Sequence, residues 1–479
     1  MIELKKAVST LFLILYLLSI LSLREWKISV KGSPDVIHVG IPTGYSTIQE
    51  AINIATPGDT IFVHNGTYYE DIVINKSVSL IGENRDLTII YGGYKAIYVV
   101  SIAADDVNIE GFTIKKVGLV PFISGIAVVS RGGNIIHNNK IADIYKGLVI
   151  IYSANNVVSG NIISDNYYGV SLYSSSNNVF SGNIISDNYY GVSLYFYSNG
   201  NMFFHNNFHD AVQASSDSVS VWNYSNEGNY WTNYTGQDLN SDGIGDEPYP
   251  INADNQDDYP LMGIFSDFNV ILKSKVYHVT FICNSTVSDF SFKIGEETGN
   301  KIIRFNVTGE DDTVGFCRVK IPTELMNYPI IILGGEEEII PTLLGISNET
   351  YVYLYFTYIH SIQTITLISS KTLHLYNELL DKYLRLQMDL YNLNFTYYDL
   401  LSNYAAFLGN YSQLQQSYLA LNFSYQEHLL SYSENVRNFR NLAYIFAATT
   451  AIFLITTIYL SRRAHRGITT KTTVVEDDR

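Results

Sequence analysis

Cysteine occurs only twice in these 479 residues, at Cys283 and Cys317. Two are too few for a disulfide scaffold, and they lack the spacing of a zinc site. Either they pair with each other in an oxidising compartment or they are two small buried hydrophobes. Basic charge is also short: 30 Lys and Arg stand against 46 Asp and Glu, a formal net charge of −16. Phosphate recognition needs a basic patch, so nucleic acid is disfavoured as a partner. Charge of either sign makes up 16% of the chain, whereas aromatics reach 14% with 39 tyrosines. That balance suits a β-rich, exported protein better than a disordered one.

The two ends point to a membrane. "MIELKKAVSTLFLILYLLSILSL" has a basic start, Lys5 and Lys6, before an apolar run, and residues 1–26 read as an export signal or N-terminal anchor. No A-x-A cleavage site follows. "LAYIFAATTAIFLITTIYL", residues 442–460, carries no charge and approaches the ~20 residues that cross a bilayer. Arg462, Arg463 and Arg466 follow it. The positive-inside rule then assigns residues 461–479 to a cytoplasmic tail and the bulk of the chain to the cell exterior. Ten N-x-S/T sequons, from Asn65 to Asn422, all fall on that outer side, as in a glycoprotein.

Between the ends lies a repeat. "NNVVSGNIISDNYYGVSLYSSS", residues 155–176, is followed by "NNVFSGNIISDNYYGVSLYFYS", identical at nineteen of twenty-two positions. Gly147, Gly169 and Gly191 keep the same twenty-two-residue register, and "NMFFHNNFHD" continues it with a one-residue slip. Runs such as "GVSLY" send Val170 and Leu172 one way and Ser171 and Tyr173 the other, as a strand does. One such unit cannot bury its apolar face alone, but stacked turns make a continuous core, which is a parallel β-helix. The L-x-x-L-x-L framework of leucine-rich repeats is absent.

Stacking places residues one period apart about 4.8 Å from each other. Asn139, Asn161, Asn183 and Asn206 should therefore form one ladder, hydrogen-bonded amide to amide. Asp143, Asp165, Asp187 and Asp210 should form another. Three readings stand for the Asp column: a solvated turn, a cation-binding edge, or catalytic carboxylates. Its regularity favours the turn, because an active site is usually one irregular place in a repeat.

"YSTIQEAINIATPGDTIFVHNGTYYEDIVINKSVSLIGE", residues 45–83, resembles the opening coil of NosD-like, CASH-type right-handed β-helix proteins. The matching features are Ile48, Gln49 and Ala51 on a capping helix, then Pro57, Gly58 and Asp59, Gly66 and Tyr68, and "SLIGE". The N-x-x-x-G-N-x-I-S-x-N-x-x-G-V-x-L coil resembles the same family. So does "GNYWTNYTGQDLNSDGIGDEPYPINADNQDDYPLM", residues 228–262, which is similar to the closing segment of archaeal members. The resemblance implies a pectate-lyase-like fold over residues 36–264, and the family's name implies copper delivery. Fold transfers more safely than function.

Copper needs clustered Cys, Met and His. The best candidates, Met202, His205 and His209, are poorly spaced: on a strand, residues 205 and 209 lie about 13 Å apart. Copper is therefore disfavoured. A hard cation fits better. Asp238, Asn240, Asp242 and Asp246 occupy positions 1, 3, 5 and 9 of a D-x-[DN]-x-D-G-x-x-D loop, and Ile244 can offer its carbonyl. Oxygen ligands so spaced suit a structural Ca²⁺. The position-12 Glu of an EF-hand is missing, Tyr249 standing there, so Asp254, Asp257 and Asp258 are candidates for the remaining carboxylates.

Residues 265–368 contain strand-like runs with turn residues every eight to twelve positions, which predicts an Ig-like β-sandwich. His360 within it reads as a packed strand residue rather than a ligand. Residues 369–441 switch to a helix in which Tyr376, Leu379, Tyr383, Leu386 and their successors to Tyr432 alternate steps of three and four. That heptad predicts a coiled-coil stalk able to self-associate. The expected layout is mainly β: a parallel β-helix, a sandwich, a stalk and a transmembrane helix. A surface binding or structural module would use Tyr173, Tyr195, Phe196 and Tyr197 to stack on the sugars of a polysaccharide or glycoprotein. A polysaccharide lyase or hydrolase, and a copper-delivery accessory protein, are the alternatives. Arg85, Lys115, Lys116, Arg131 and Lys146 are scattered beside the Asp column, which disfavours a lyase, and the chain is read as more binding protein than enzyme.

Overall fold

The computed structural model describes residues 35–93, 96–116, 121–360, 364–431 and 436–466. The export signal expected at residues 1–26 and most of the cytoplasmic tail expected at residues 461–479 fall outside the described residues. The chain divides into two compact units, residues 1–376 and 377–479.

The first unit opens with strand Val36–Val39 and helix α1, Ile48–Ile54. Thr47 caps α1 by accepting the Glu50 N–H at 3.2 Å, and Ile48, Ala51 and Ile52 close the end of the core. Three parallel sheets of eight, eight and seven strands then form a β-solenoid. The first runs from Val36–Val39 to Met202–Phe204, the second from Gly66–Tyr68 to Tyr230–Trp231, and the third from Ile72–Ile74 to Val212–Ser216.

Registers reproduce the sequence period. Val157 pairs with Val179, Ile162 with Ile184 and Tyr168 with Tyr190. The slip is local. Val179 pairs with Met202, one residue beyond the period, whereas Tyr190 pairs with Val212 on the period. The third sheet's first corner is thus one residue shorter in that coil.

Inside, identical neighbours stack. Ile141, Ile163, Ile185 and Phe208 form one buried column, and Phe180, Phe203 and Trp222 lie ring on ring at 4.6 and 4.5 Å. Many corners use a left-handed backbone, as at Asp165, Asn177 and Gly182. At the inner corner of the third sheet a Cβ on Gly169 would sit 2.6 Å from the Gly191 carbonyl, so only glycine fits.

Polar residues turn inward at other corners because each finds partners there. Asn139, Asn161, Asn183 and Asn206 form the expected ladder. Every rung gives its backbone N–H and its amide to the next rung's Oδ1, at 2.8–3.2 Å. The ladder continues to Asn229 and ends on Asp257. A second amide ladder runs Asn134, Asn156, Asn178 and Asn201, and a third runs Asn166, Asn188 and Asp210.

Strand Ile264–Leu272 starts two five-stranded antiparallel sheets that share one core including Val279, Phe281, Phe305, Val319 and Leu367. Cys283 and Cys317 face each other across neighbouring strands and form a disulfide, which decides between the two readings of the pair.

The second unit is helical. Helix α2, Lys371–Ser431, continues unbroken through Gly409 and Asn410, and helix α3 spans Val436–Arg466. In α3 the eighteen residues Tyr444–Ser461 have a mean hydropathy of 1.7 and could cross a membrane by length and composition.

Candidate functional site

The solenoid's third sheet carries the richest surface. Its strands begin at a corner where Tyr145, Tyr167 and Tyr189 stack at 5.3 and 5.1 Å, nearly parallel. The next residues, Tyr168 and Tyr190, stack at 5.1 Å, and at the strand ends Tyr173 and Tyr195 stack at 5.3 Å. Lys146 spans the strand between these columns: its Nζ donates to the Tyr173 hydroxyl at 2.9 Å and lies over the Tyr173 and Tyr168 rings. Between the two columns, Ser171 and Ser193 are wholly buried and their hydroxyls have no partner. Burial, together with the surrounding phenols, pushes Tyr168 up to about 12, so its hydroxyl stays a donor throughout the physiological range.

Rings stacked on one another hide the faces between them. Tyr173 and Tyr195 each give one face to the other, and Lys146 lies over the Tyr173 ring, which reduces the faces free to stack on a sugar. Free faces lie at the following corner instead, on Tyr152, Phe196 and Tyr197, which are 69, 61 and 84% exposed. Tyr152 was invisible to the repeat because Ser174 replaces it one period on.

Asp143, Asp165 and Asp187 sit at exposed corners with φ near +60°. Left-handed backbone is tolerated by Asp, which accounts for the residue type without chemistry. Asp210 does not join them. The shortened corner moves it inward, where its Oδ1 accepts the Asn188 N–H and amide at 2.9 and 2.8 Å. Its Oδ2 is buried without a partner, and burial lifts the carboxyl to about 7 despite those bonds. The column of carboxylates is thus three steps long. A raised native pKa means that the folded state holds the proton longer than the unfolded chain. Stability should therefore fall as pH rises from about 4 to about 7, a slope Asp210→Asn should make shallower. The variant's amide can reach the Ile185 carbonyl as Asn188 reaches that of Ile163, at 2.9 Å. Above pH 7 it should melt several degrees higher than the parent, as read by thermal denaturation at pH 5 and pH 8.

The loop from Asp238 to Asp246 is bound to its own backbone. Asp238 accepts the N–H groups of Asp242 and Gly243 at 3.0 and 2.8 Å, Asn240 accepts that of Asp242, and Asp242 accepts that of Ile244. Asp246 accepts the Leu239 N–H at 2.6 Å. Burial raises the Asp238 carboxyl, helped by the negative charges of Asp242 and Asp246. Asp257 is not available to this loop. It is fully buried at the ladder's end, accepting from Asn229 and Trp231, and burial lifts it to about 6. Among the described residues no group of three or more His, Cys, Asp or Glu is arranged to hold a metal ion.

The copper candidates do not converge. Met202 lies on the first sheet and His209 on the second, while His205 is bonded to Glu227 at 2.8 Å and stacked on Phe265 at 4.0 Å. His38 Nδ1 and His64 Nε2 approach to 3.1 Å near Glu83, a pair of nitrogens without a sulfur donor. His360 is packed rather than free, in the turn after strand Tyr351–Ile359, with Ser285 and Thr313 at its two ring nitrogens.

Sequence reading missed the seam between solenoid and sandwich. Arg318, only 4% exposed, reaches from strand Val314–Pro322 to the Glu227 carboxylate and to the Asp242 carbonyl at 2.7 Å. Burial alone would raise Glu227, but the His205 hydrogen bond and the Arg318 charge outweigh it and hold the carboxyl at about 2. Asn207 pairs with the Phe265 backbone through both its amide atoms at 2.8 Å.

No curated protein matches this sequence. Solved structures do. An alginate lyase from Paenibacillus has 15% identity and a TM-score of 0.29, covering 41% of this chain and 76% of its own. A pectin methylesterase from carrot has 12% identity and a TM-score of 0.27, covering 41% and 80%. ORF18 of Geobacillus virus E2 has 13% identity and a TM-score of 0.27, covering 67% and 74%. Residues 32–236 match the family model of NosD, described as a periplasmic copper-binding protein, and the matched span is built from the parallel β-solenoid.

Proposed function

We propose that this chain is a membrane-anchored surface module that binds an extended polysaccharide along the third sheet of its solenoid. The carrying observation is the periodic flank: tyrosine edges repeat at 5.1–5.3 Å, with the exposed rings of Tyr152 and Tyr197 beside them. A polymer that repeats meets the same hydroxyls at successive rungs, and a free aromatic face adds stacking. The apolar run of α3 supplies the anchor, and the arginines after it favour an outer solenoid. Ca²⁺ in the Asp238–Asp246 loop would fasten the solenoid's end, with Asp238, Asn240, Asp242, Asp246 and the Ile244 carbonyl as donors.

Two alternatives are less well supported. An enzyme of the lyase or hydrolase type needs a base or a second carboxylate set apart from the rest, whereas Asp143, Asp165 and Asp187 occupy equivalent corners. Copper delivery needs soft donors in one place, and Met202, His205 and His209 are separated.

Binding of the full-length protein to a panel of insoluble polysaccharides is the test. Retention on at least one polymer, reduced tenfold or more in the double variant Tyr152→Ala/Tyr197→Ala and weakened by EDTA, is expected. Release of reducing or unsaturated ends that disappears in Asp165→Asn/Asp187→Asn would replace this reading with the enzymatic one.

A further inference from the structure

Helix α2 is 61 residues long, about 90 Å at helical rise, and it has an apolar seam. From Tyr376 to Leu421, fourteen seam positions alternate steps of three and four, and every one of them is 46–67% exposed, although Tyr418 also meets the Phe446 ring of α3 at 6.5 Å. Tyrosine fills the first position of each heptad except at Leu390. Leucine fills the fourth except at Phe407. A period of 3.5 differs from that of a straight helix, so only a partner that supercoils with the same period covers the seam along its length. At roughly 100 Å² a side chain the seam offers on the order of 1,400 Å² per copy, against about 800 Å² per partner in a standard interface.

We propose that a second copy of this chain covers that seam, forming a parallel, in-register homo-oligomeric stalk. Self-association is favoured over a foreign partner by the flanking positions. Leu380, Gln387, Asn394, Leu401, Leu408 and Gln415 on one side are neutral, and Lys382 and Asp389 are the charged residues among the corresponding positions on the other. No charge code selects a different chain, and no like-charge row opposes the same one. Lys382 is already bonded within its own helix, to Glu378 at 2.7 Å. Parallel orientation rests on the membrane-anchor reading: helices that enter one bilayer from the same side are aligned and held at high effective concentration. In that register tyrosine layers alternate with leucine layers, and the long phenol carries its hydroxyl past the seam to water.

The disulfide uses both natural cysteines, so an introduced cysteine is the sole free thiol. Leu400→Cys lies on the seam and Ser402→Cys on the opposite face of the helix. In full-length protein in its membranes, mild oxidation should convert most of Leu400→Cys to a disulfide-linked dimer and leave Ser402→Cys a monomer. Equal cross-linking at both positions, or none at Leu400→Cys, overturns the parallel stalk. Light scattering of the unaltered protein in detergent should give at least twice the 54.0 kDa chain mass, and a single-chain mass overturns self-association. Alkaline carbonate extraction reports the anchor separately, so a soluble oligomer would reject the anchor and not the seam.

Discussion

Arg318→Leu is expected to destabilise the first unit by about 3–5 kcal/mol, the cost of leaving a buried carboxylate without its cation. Glu227 would keep its hydrogen bond from His205 but lose the guanidinium that holds its carboxyl near 2, and the Asp242 carbonyl would lose its donor. Urea denaturation at pH 7 reads the effect. The double variant Glu227→Leu/Arg318→Leu should lose much less, because no charge is then stranded. A depressed native pKa contributes stability above the carboxyl's ordinary value of about 4.5, lost as pH falls towards 2. The parent's acid limb should therefore be steeper than the double variant's. Equal losses in the single and double variants would show that the seam's packing matters and its charges do not.

Asn183→Ala should cost a similar 3–5 kcal/mol, though nothing in its neighbourhood is charged. Its Oδ1 receives the Asn161 N–H and amide, and its own amide serves Val158 and Asn206. Removing it leaves the buried Asn161 N–H unpaired, worth roughly 1–3 kcal/mol, and takes one bond each from the Asn161 amide, the Val158 carbonyl and the Asn206 Oδ1, at roughly 1 kcal/mol apiece with partial relaxation. Asn177→Ala offers the contrast: that residue has φ near +58° on a corner, and it stands one position before the ladder's Asn178. It should lose about 1 kcal/mol for its backbone conformation alone. Thermal melts that rank the two variants equally would refute the ladder's importance.

Much of the solenoid was legible because its period is written in the letters: a stack of equal turns needs equal residues at equal intervals. The Asn139–Asn206 ladder followed from that alone. Asp210 was misplaced for the same reason, since counting periods cannot show that one corner has lost a residue and turned the next one inward. The tyrosines were visible but their orientation was not. Alternation tells which face a side chain takes, and ring-on-ring stacking, which hides the faces, comes only with the distances between rungs. The Glu227–Arg318 pair lies ninety-one residues apart and outside any repeat. No local pattern announces such a contact. Disulfide pairing of Cys283 and Cys317 stood as one of two readings, and cross-strand register settled it.

The amide ladders have a direction. Each asparagine gives hydrogen to the one after it, and two of the three ladders end on an aspartate, which only receives. A carboxylate therefore acts as a full stop, and growth of the solenoid is confined to the stretch before it. Within that stretch a duplicated gene segment of sixty-six bases adds one complete turn whose donors and acceptors are already matched. The near-identical coils at residues 155–198 are what such an event leaves behind, and they let the flank lengthen in steps of about 4.8 Å without redesign at either end.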